Sequence, residues 1–262
     1  MTRGYAWTCT ALILLGPPGW GIVPEAKAEP LVTDRPDFTE STETVPPGRW
    51  QLEAGYTFSK REDEKKHALG ELLLRVGLGP RIELRLAGNS HVWLDSHDAD
   101  AHGFEDTSLG VKVKLVESSE RFELTRPAVA VIVATTLPTG DDDFSEDDPQ
   151  PEVTLASAWD LSERFSLGSN LTYSFASEAD ERFHQFSGSL VLGFALTETW
   201  GAFVEYFGRV PESEGGPNAS FFDGGLTYLI NDDLQLDARA GVGVFNAKNP
   251  DYFTGVGVAW RW

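Results

Sequence analysis

The chain has 262 residues, of which 41% are hydrophobic and 11% aromatic, with 26 glycines, one cysteine and a formal charge of −20. A mean hydropathy of −0.24 excludes a protein with several membrane helices, but not a β-barrel, in which alternation dilutes the apolar residues. The negative charge argues against nucleic acid as a partner.

Arg3, the mostly apolar run from Tyr5 to Leu15 and the Ala26-Lys27-Ala28 cleavage pattern read as a secretory signal over 1–28, with Glu29 starting the mature chain. Cys9 falls inside that segment, so the mature chain has no thiol for a disulfide, a nucleophile or a zinc site. Residues 29–47 hold Asp34, Arg35, Pro36, Asp37, Phe38, Thr39, Glu40 and Ser41 and stop at Pro46-Pro47, which cannot continue a central strand.

From Gly48 to Trp262 one pattern repeats: a period-2 segment of about ten residues, then a break. Trp50, Leu52, Tyr56 and Phe58 oppose Gln51, Glu53 and Thr57. Further segments follow at about 67–78, 82–94, 107–116, 126–137, 152–161, 164–176, 183–196, 200–210, 220–230 and 234–245, and the last, 252–262, ends on Trp260 and Trp262. In the segment at 67–78, Ala68 and Leu72 are placed outward and His67 inward. The total of twelve predicts an all-β, membrane-spanning, antiparallel up-and-down barrel occupying 48–262. Breaks such as Gly79-Pro80-Arg81 and Asn231-Asp232-Asp233 are tight, while 60–66, 95–106, 138–151, 177–182, 211–219 and 246–251 read as longer outer loops. That alternation suits short periplasmic turns, long outer loops and a bacterial outer-membrane location. The terminal aromatic strand is expected to pair with the first strand, face lipid, and act as the signal read by the barrel-assembly machinery.

The inward parity carries mixed charge: Glu53, Glu71, Arg75, Glu83, Arg85, Lys112, Lys114, Glu205, Arg209, Asp237, Arg239 and Arg261. Excess acid lies instead in the loops at 95–106 and 138–151, read as solvated rims in preference to cation sites; Asp141-Asp142-Asp143 lacks calcium-loop spacing. Phe203, Phe207, Phe221, Phe245 and Phe253 also fall on the lumen side, where they could form an apolar slide or simply pack near the barrel ends.

Val32 to Ser41, Val45-Pro46-Pro47-Gly48, Gln51 to Tyr56, Glu71 to Leu78, Asp106 to Lys112 and Leu137-Pro138-Thr139-Gly140 together resemble the MetA-pathway phenol-degradation, transporter-like family of bacterial outer-membrane barrels. The resemblance implies a barrel with a transport role, and aromatic or hydrophobic cargo.

Three functions compete. The first is a channel for small solutes, since twelve strands give a backbone radius of roughly 12 Å and side chains narrow it. The second is a non-conducting structural or adhesive barrel. The third, and weakest, is a hydrolase: His67, His91, His97, His102 and His184 form no constellation of catalytic spacing, so no catalytic residue, cofactor or metal is assigned. Residues 29–47 are expected to cap the periplasmic opening or, alternatively, to plug the lumen. The expected partners are outer-membrane lipid and a small solute.

Overall fold

The computed structural model describes residues 29–88, 91–96, 100–117, 124–146, 148–178, 181–211, 216, 218–244 and 250–262. Phe245, His97 and the signal segment lie outside these. Among the described residues every regular element is a strand: β1 (Trp50–Arg61), β2 (Glu64–Gly79), β3 (Ile82–Gly88), β4 (His91–Asp95), β5 (Ala101–Gly103), β6 (Thr107–Val116) and β7 (Ala128–Leu137). They continue as β8 (Gln150–Asp160), β9 (Phe165–Glu178), β10 (Glu181–Ala195), β11 (Trp200–Val210), β12 (Ala219–Asn231), β13 (Leu234–Gly243) and β14 (Tyr252–Arg261).

All pairings are antiparallel, and β1 pairs with both β2 and β14, so the sheet closes on itself. β3 and β4 pair with successive parts of β2, and β6 and β5 lie beside them. The fourteen segments therefore make twelve staves. Closure runs from Gln51 opposite Arg261 to Lys60 opposite Tyr252. Trp50 and Trp262 exchange both backbone hydrogen bonds, at 3.0 and 2.9 Å. The terminal strand thus has its predicted partner, and closure leaves no unpaired edge in the wall.

Alternation sorts the side chains inside out relative to a soluble fold. The largest fully buried side chains include Arg75, Lys112, Gln51, Glu53, Glu83 and Glu205, whereas Leu78, Leu171, Phe186 and Val256 on the outer face are more than half exposed. A continuous apolar outer face of this kind belongs against lipid tails. Aromatic pairs band it near the turns, with Trp200–Tyr228 centroids 4.7 Å apart and Trp260–Trp262 4.6 Å apart. Toward the opposite rim lie Phe58–Tyr252 at 6.0 Å and Tyr173–Phe186 at 5.3 Å. Such rings suit the two membrane interfaces.

The structure corrects the sequence reading in four places. Residues 60–66 are not a loop, because β1 and β2 extend until only Glu62 and Asp63 separate them, with Glu62 at φ 52° closing the turn. Likewise β9 and β10 reach Glu178 and Glu181, and Ala101–Gly103 inside the expected loop is the short strand β5. Polar composition marked these stretches as loops, yet a strand projecting past the bilayer is polar as well. Finally, Gly70 and Glu71 have φ of 113° and 40°, and the register with β1 shifts there. The bulge reverses local parity. Ala68 is buried in the lumen, and His67 faces out, where Tyr56 Oη lies 2.6 Å from its Nδ1.

Candidate functional site

Residues 29–47 lie against inward-facing side chains of the wall. Both limbs enter at the turn end. Leu31 donates to the Asp232 carbonyl at 2.8 Å, and Gly48 to that of Gly77 at 2.8 Å. Pro46 crosses directly above Gly77, where any Cβ would collide with the Pro46 carbonyl. Between the limbs the chain touches β2, β3, β6, β10, β11 and β13, which is possible only from inside a closed wall.

Arg75, fully buried on β2, ties the limbs together. Its Nε and one Nη donate to Glu83 at 2.9 and 3.0 Å, and another bond reaches Glu53 at 3.0 Å. The remaining two go to the carbonyls of Val32 at 2.9 Å and Glu43 at 2.8 Å, one on each limb. All five N–H donors are thereby used. Gln51 also donates to the Val32 carbonyl, at 2.9 Å.

Asp34 is the reciprocal hub on the segment. Its carboxylate accepts from Arg85 at 2.6 Å, Lys112 at 2.8 Å and the Ser41 N–H at 2.7 Å, while its own N–H donates to Glu53 at 3.0 Å. Burial alone would raise this carboxyl, but Arg75, Lys112 and Arg85 outweigh it and hold Asp34 well below the ordinary carboxylate range. Arg35 spans Glu71 at 2.7 Å and Asp237 at 3.4 Å, and the Pro36 carbonyl accepts from Arg239 at 2.9 Å. Glu40 meets Arg85 at 2.5 Å, and Lys114 meets Glu43 at 2.5 Å. The predicted lumen charges are thus largely the dock for this segment.

At the tip the character changes. The Phe38 N–H donates to Glu205 at 2.7 Å, and Thr39 Oγ1 bonds Ser189 at 2.7 Å and Glu205 at 2.5 Å. Asp37 faces Glu205, Asp34 and Asp223; burial first, then Glu205, pushes its carboxyl well above the ordinary range. The Phe38 ring stacks on Phe207 with centroids 3.7 Å apart and meets Phe253 edge-on at 6.0 Å. Phe207 stacks in turn on Phe221 at 4.5 Å. Of the five expected lumen aromatics, Phe207, Phe221 and Phe253 form one buried cluster with Ala219. Phe203 is also buried but packs apart from them, against Gly225. The ring missing from that reading was Phe38, which sequence parity could not place because it precedes the first strand.

Two other expected residues lie elsewhere. Arg261 sits at the turn end, bonding Asp233 at 2.7 Å and the Glu29 carbonyl at 2.7 Å. Arg209 stands exposed near the opposite rim. The acidic loops use carboxylates on their own backbone: Asp106 accepts from Thr139 N–H and Gly140 N–H at 2.9 Å each, and Asp141 from Phe104 N–H at 2.8 Å. Burial opposes ionisation of Asp106, but Ser145 and these N–H groups lower its pKa overall.

A comparison with curated proteins returned no match. Among solved structures, an outer-membrane channel from Pseudomonas putida F1 superposes with a TM-score of 0.64 at 14% identity, over 85% of this chain and 98% of that one. The NanC porin follows with 0.56 at 11% and the KdgM porin with 0.54 at 10%, each over 80% of this chain and 98% of the other. These likenesses establish the outer-membrane barrel fold. The family described as "Putative MetA-pathway of phenol degradation" matches residues 33–262, from the lumenal segment to the last residue, and the chain belongs to it.

Proposed function

We propose that the protein is an outer-membrane channel for small apolar or aromatic solutes, closed at rest by residues 29–47. Residues 1–28 export it, and the aromatic C-terminus presents it to the assembly machinery. The observation that carries the reading is the aromatic cluster: in a lumen whose largest buried side chains are mostly charged or polar, Phe38 of the inner segment lies on Phe207 beside Phe221 and Phe253. A merely structural filler would gain nothing from leaving cavities of about 270 and 290 Å³ on either side of that stack. The fold shared with porins supports passage, while the seated segment argues against free diffusion of large hydrophilic solutes.

Planar-bilayer conductance of the full mature chain and of a chain lacking residues 29–47 tests this. Small, infrequent openings are expected of the first and a steady larger conductance of the second. Liposome swelling with phenolic solutes should then exceed that with sugars of similar mass. Silence of both chains in both assays would overturn the channel reading in favour of a non-conducting barrel.

A further inference from the structure

The Phe38 ring is bound by the wall in the way a free aromatic molecule would be. One face stacks on Phe207, an edge meets Phe253, and the Arg239 guanidinium lies 4.7 Å from its centroid. Its wall partners are buried, yet Phe38 itself is 41% exposed. A residue whose purpose was to complete a core would be the covered one. Phe38 instead sits on a ready-made aromatic platform and is held there through its backbone, whose N–H is anchored on Glu205 at 2.7 Å.

We infer that Phe207, Phe221, Phe253 and Arg239 form a binding site for aryl carboxylates, and that Phe38 is its tethered occupant, displaced when such a molecule enters. This rests on the channel reading above and names the solute class.

The anionic preference follows from the cavity of about 290 Å³ beside the stack. Arg239 and Arg209 both line it, together with Lys66. Among the described residues Arg209 has no ion-pair partner, whereas Lys66 is engaged by Glu105 at 2.5 Å. Among the described residues Glu71 is the one carboxylate on the lining, and it is bound by Arg35 at 2.7 Å. A planar ring on Phe207 under Arg239 would therefore direct a carboxylate toward the Arg209 guanidinium. Bidentate pairing of that kind is what arginine forms best. A saturated ring of the same charge would lose the stacking and cation–π terms, and a neutral aryl alcohol would lose the ion pair.

The test uses the full mature protein in detergent micelles, with 4-fluorobenzoate binding read from fluorine NMR line widths. Phe38→Ala should bind the probe about tenfold more tightly than wild type, the scale of the stacking and cation–π contacts no longer in competition. Phe38→Leu, which keeps apolar volume but not the π face, should fall between. In Phe38→Ala, benzoate should displace the probe more effectively than benzyl alcohol or cyclohexanecarboxylate. Adding Arg209→Gln should erase the advantage over benzyl alcohol. Binding no tighter in Phe38→Ala or Phe38→Leu than in wild type would overturn the inference, as would equal displacement by benzyl alcohol. So would undiminished binding after Phe207→Ala is added. If removal of residues 29–47 opens the pore while these variants bind no probe, the channel stands and the inference falls. If the variants bind as expected but no chain conducts, the channel reading is the one lost.

Discussion

Replacing Arg75 by Gln isolates what holds the inner segment down. The guanidinium makes five hydrogen bonds, three to Glu53 and Glu83 on the wall and one to each limb of the segment, at Val32 and Glu43. Removing one member of a buried ion pair typically costs about 3–5 kcal/mol, because its partners stay buried and uncompensated. The two bonds to the segment come from a charged donor and are worth about 1.5–3 kcal/mol each, so a similar total falls on seating. At about 1.4 kcal/mol per factor of ten, the unseated population should rise about 10²–10⁴-fold. The wall itself should survive, since its ladder of backbone bonds does not involve this side chain. Two readouts follow: open probability in planar bilayers, and the labelling rate of a Ser41→Cys reporter by an impermeant maleimide. The reporter is clean because the sequence has no cysteine after Cys9. Arg75→Gln should raise both together. Unchanged conductance with unchanged labelling would mean the segment is held by something other than this ion cluster, and the reasoning would fail.

Other perturbations act on the same assembly. Asp37 has its pKa raised in place, so its contribution to seating is present while it is neutral and is lost as pH rises through that raised value; Glu205, Asp34 and Asp223 are the groups facing it. Open probability should therefore climb as pH rises above the ordinary carboxylate range, and Asp37→Asn should flatten the climb. Asp34 runs the other way: its lowered pKa keeps it charged through mild acid, so acidification to about pH 5 should not release the segment. Gly77→Ala drives a methyl into the Pro46 carbonyl, and should destabilise the seated form by about 1–3 kcal/mol, read as faster labelling of the same reporter. Deleting Trp262 removes the residue that exchanges bonds with Trp50. Folded yield in the outer membrane should drop, while conductance of the protein that does fold should not.

The barrel was legible because its information is local and periodic. Alternation gave the outer face of β1, the inward Arg75, Arg85 and Lys112, and the pairing of the terminal strand with the first. Where the reading failed, a non-periodic event had intervened. The bulge at Gly70 and Glu71 inserts one residue and flips His67 and Ala68, and nothing in the local composition distinguishes that glycine from its neighbours in other strands. Loop lengths were misjudged where strands continue past the bilayer as polar ladders, as in Glu64–Gly79. The inner segment was the hardest part. Asp34, Arg35, Asp37 and Glu40 signalled mixed charge seeking mixed charge, but their partners lie on β2, β3, β6, β11 and β13, tens to hundreds of residues away. No periodicity relates such positions, so these contacts could not be read from the chain.

The chemistry of the dock also bears on whether the segment can move. A transmembrane barrel spends its apolar residues on lipid, and alternation leaves the interior polar. Whatever fills that interior cannot be held by a hydrophobic core; here Asp34, Arg35 and Glu40 are held by ion pairs to Arg85, Lys112, Glu71 and Asp237. Such pairs are geometrically specific, yet their net contribution is small because desolvation offsets much of the attraction. They fix where the segment sits without making release prohibitive. A bare apolar plug in the same place would be either too weak to seat in a wet lumen or, with a matching apolar wall, too stable to leave. The largest apolar contact of the segment, Phe38 on Phe207 and Phe253, lies at the tip beside a cavity, whereas the roots of the limbs bury only the aliphatic Leu31 and Val45 beside their ion pairs and hydrogen bonds. Strong anchoring near the turns and a displaceable ring farther in describe a segment whose tip yields before its base. A solute competing for the ring could therefore begin to open the passage without first breaking the cluster around Arg75.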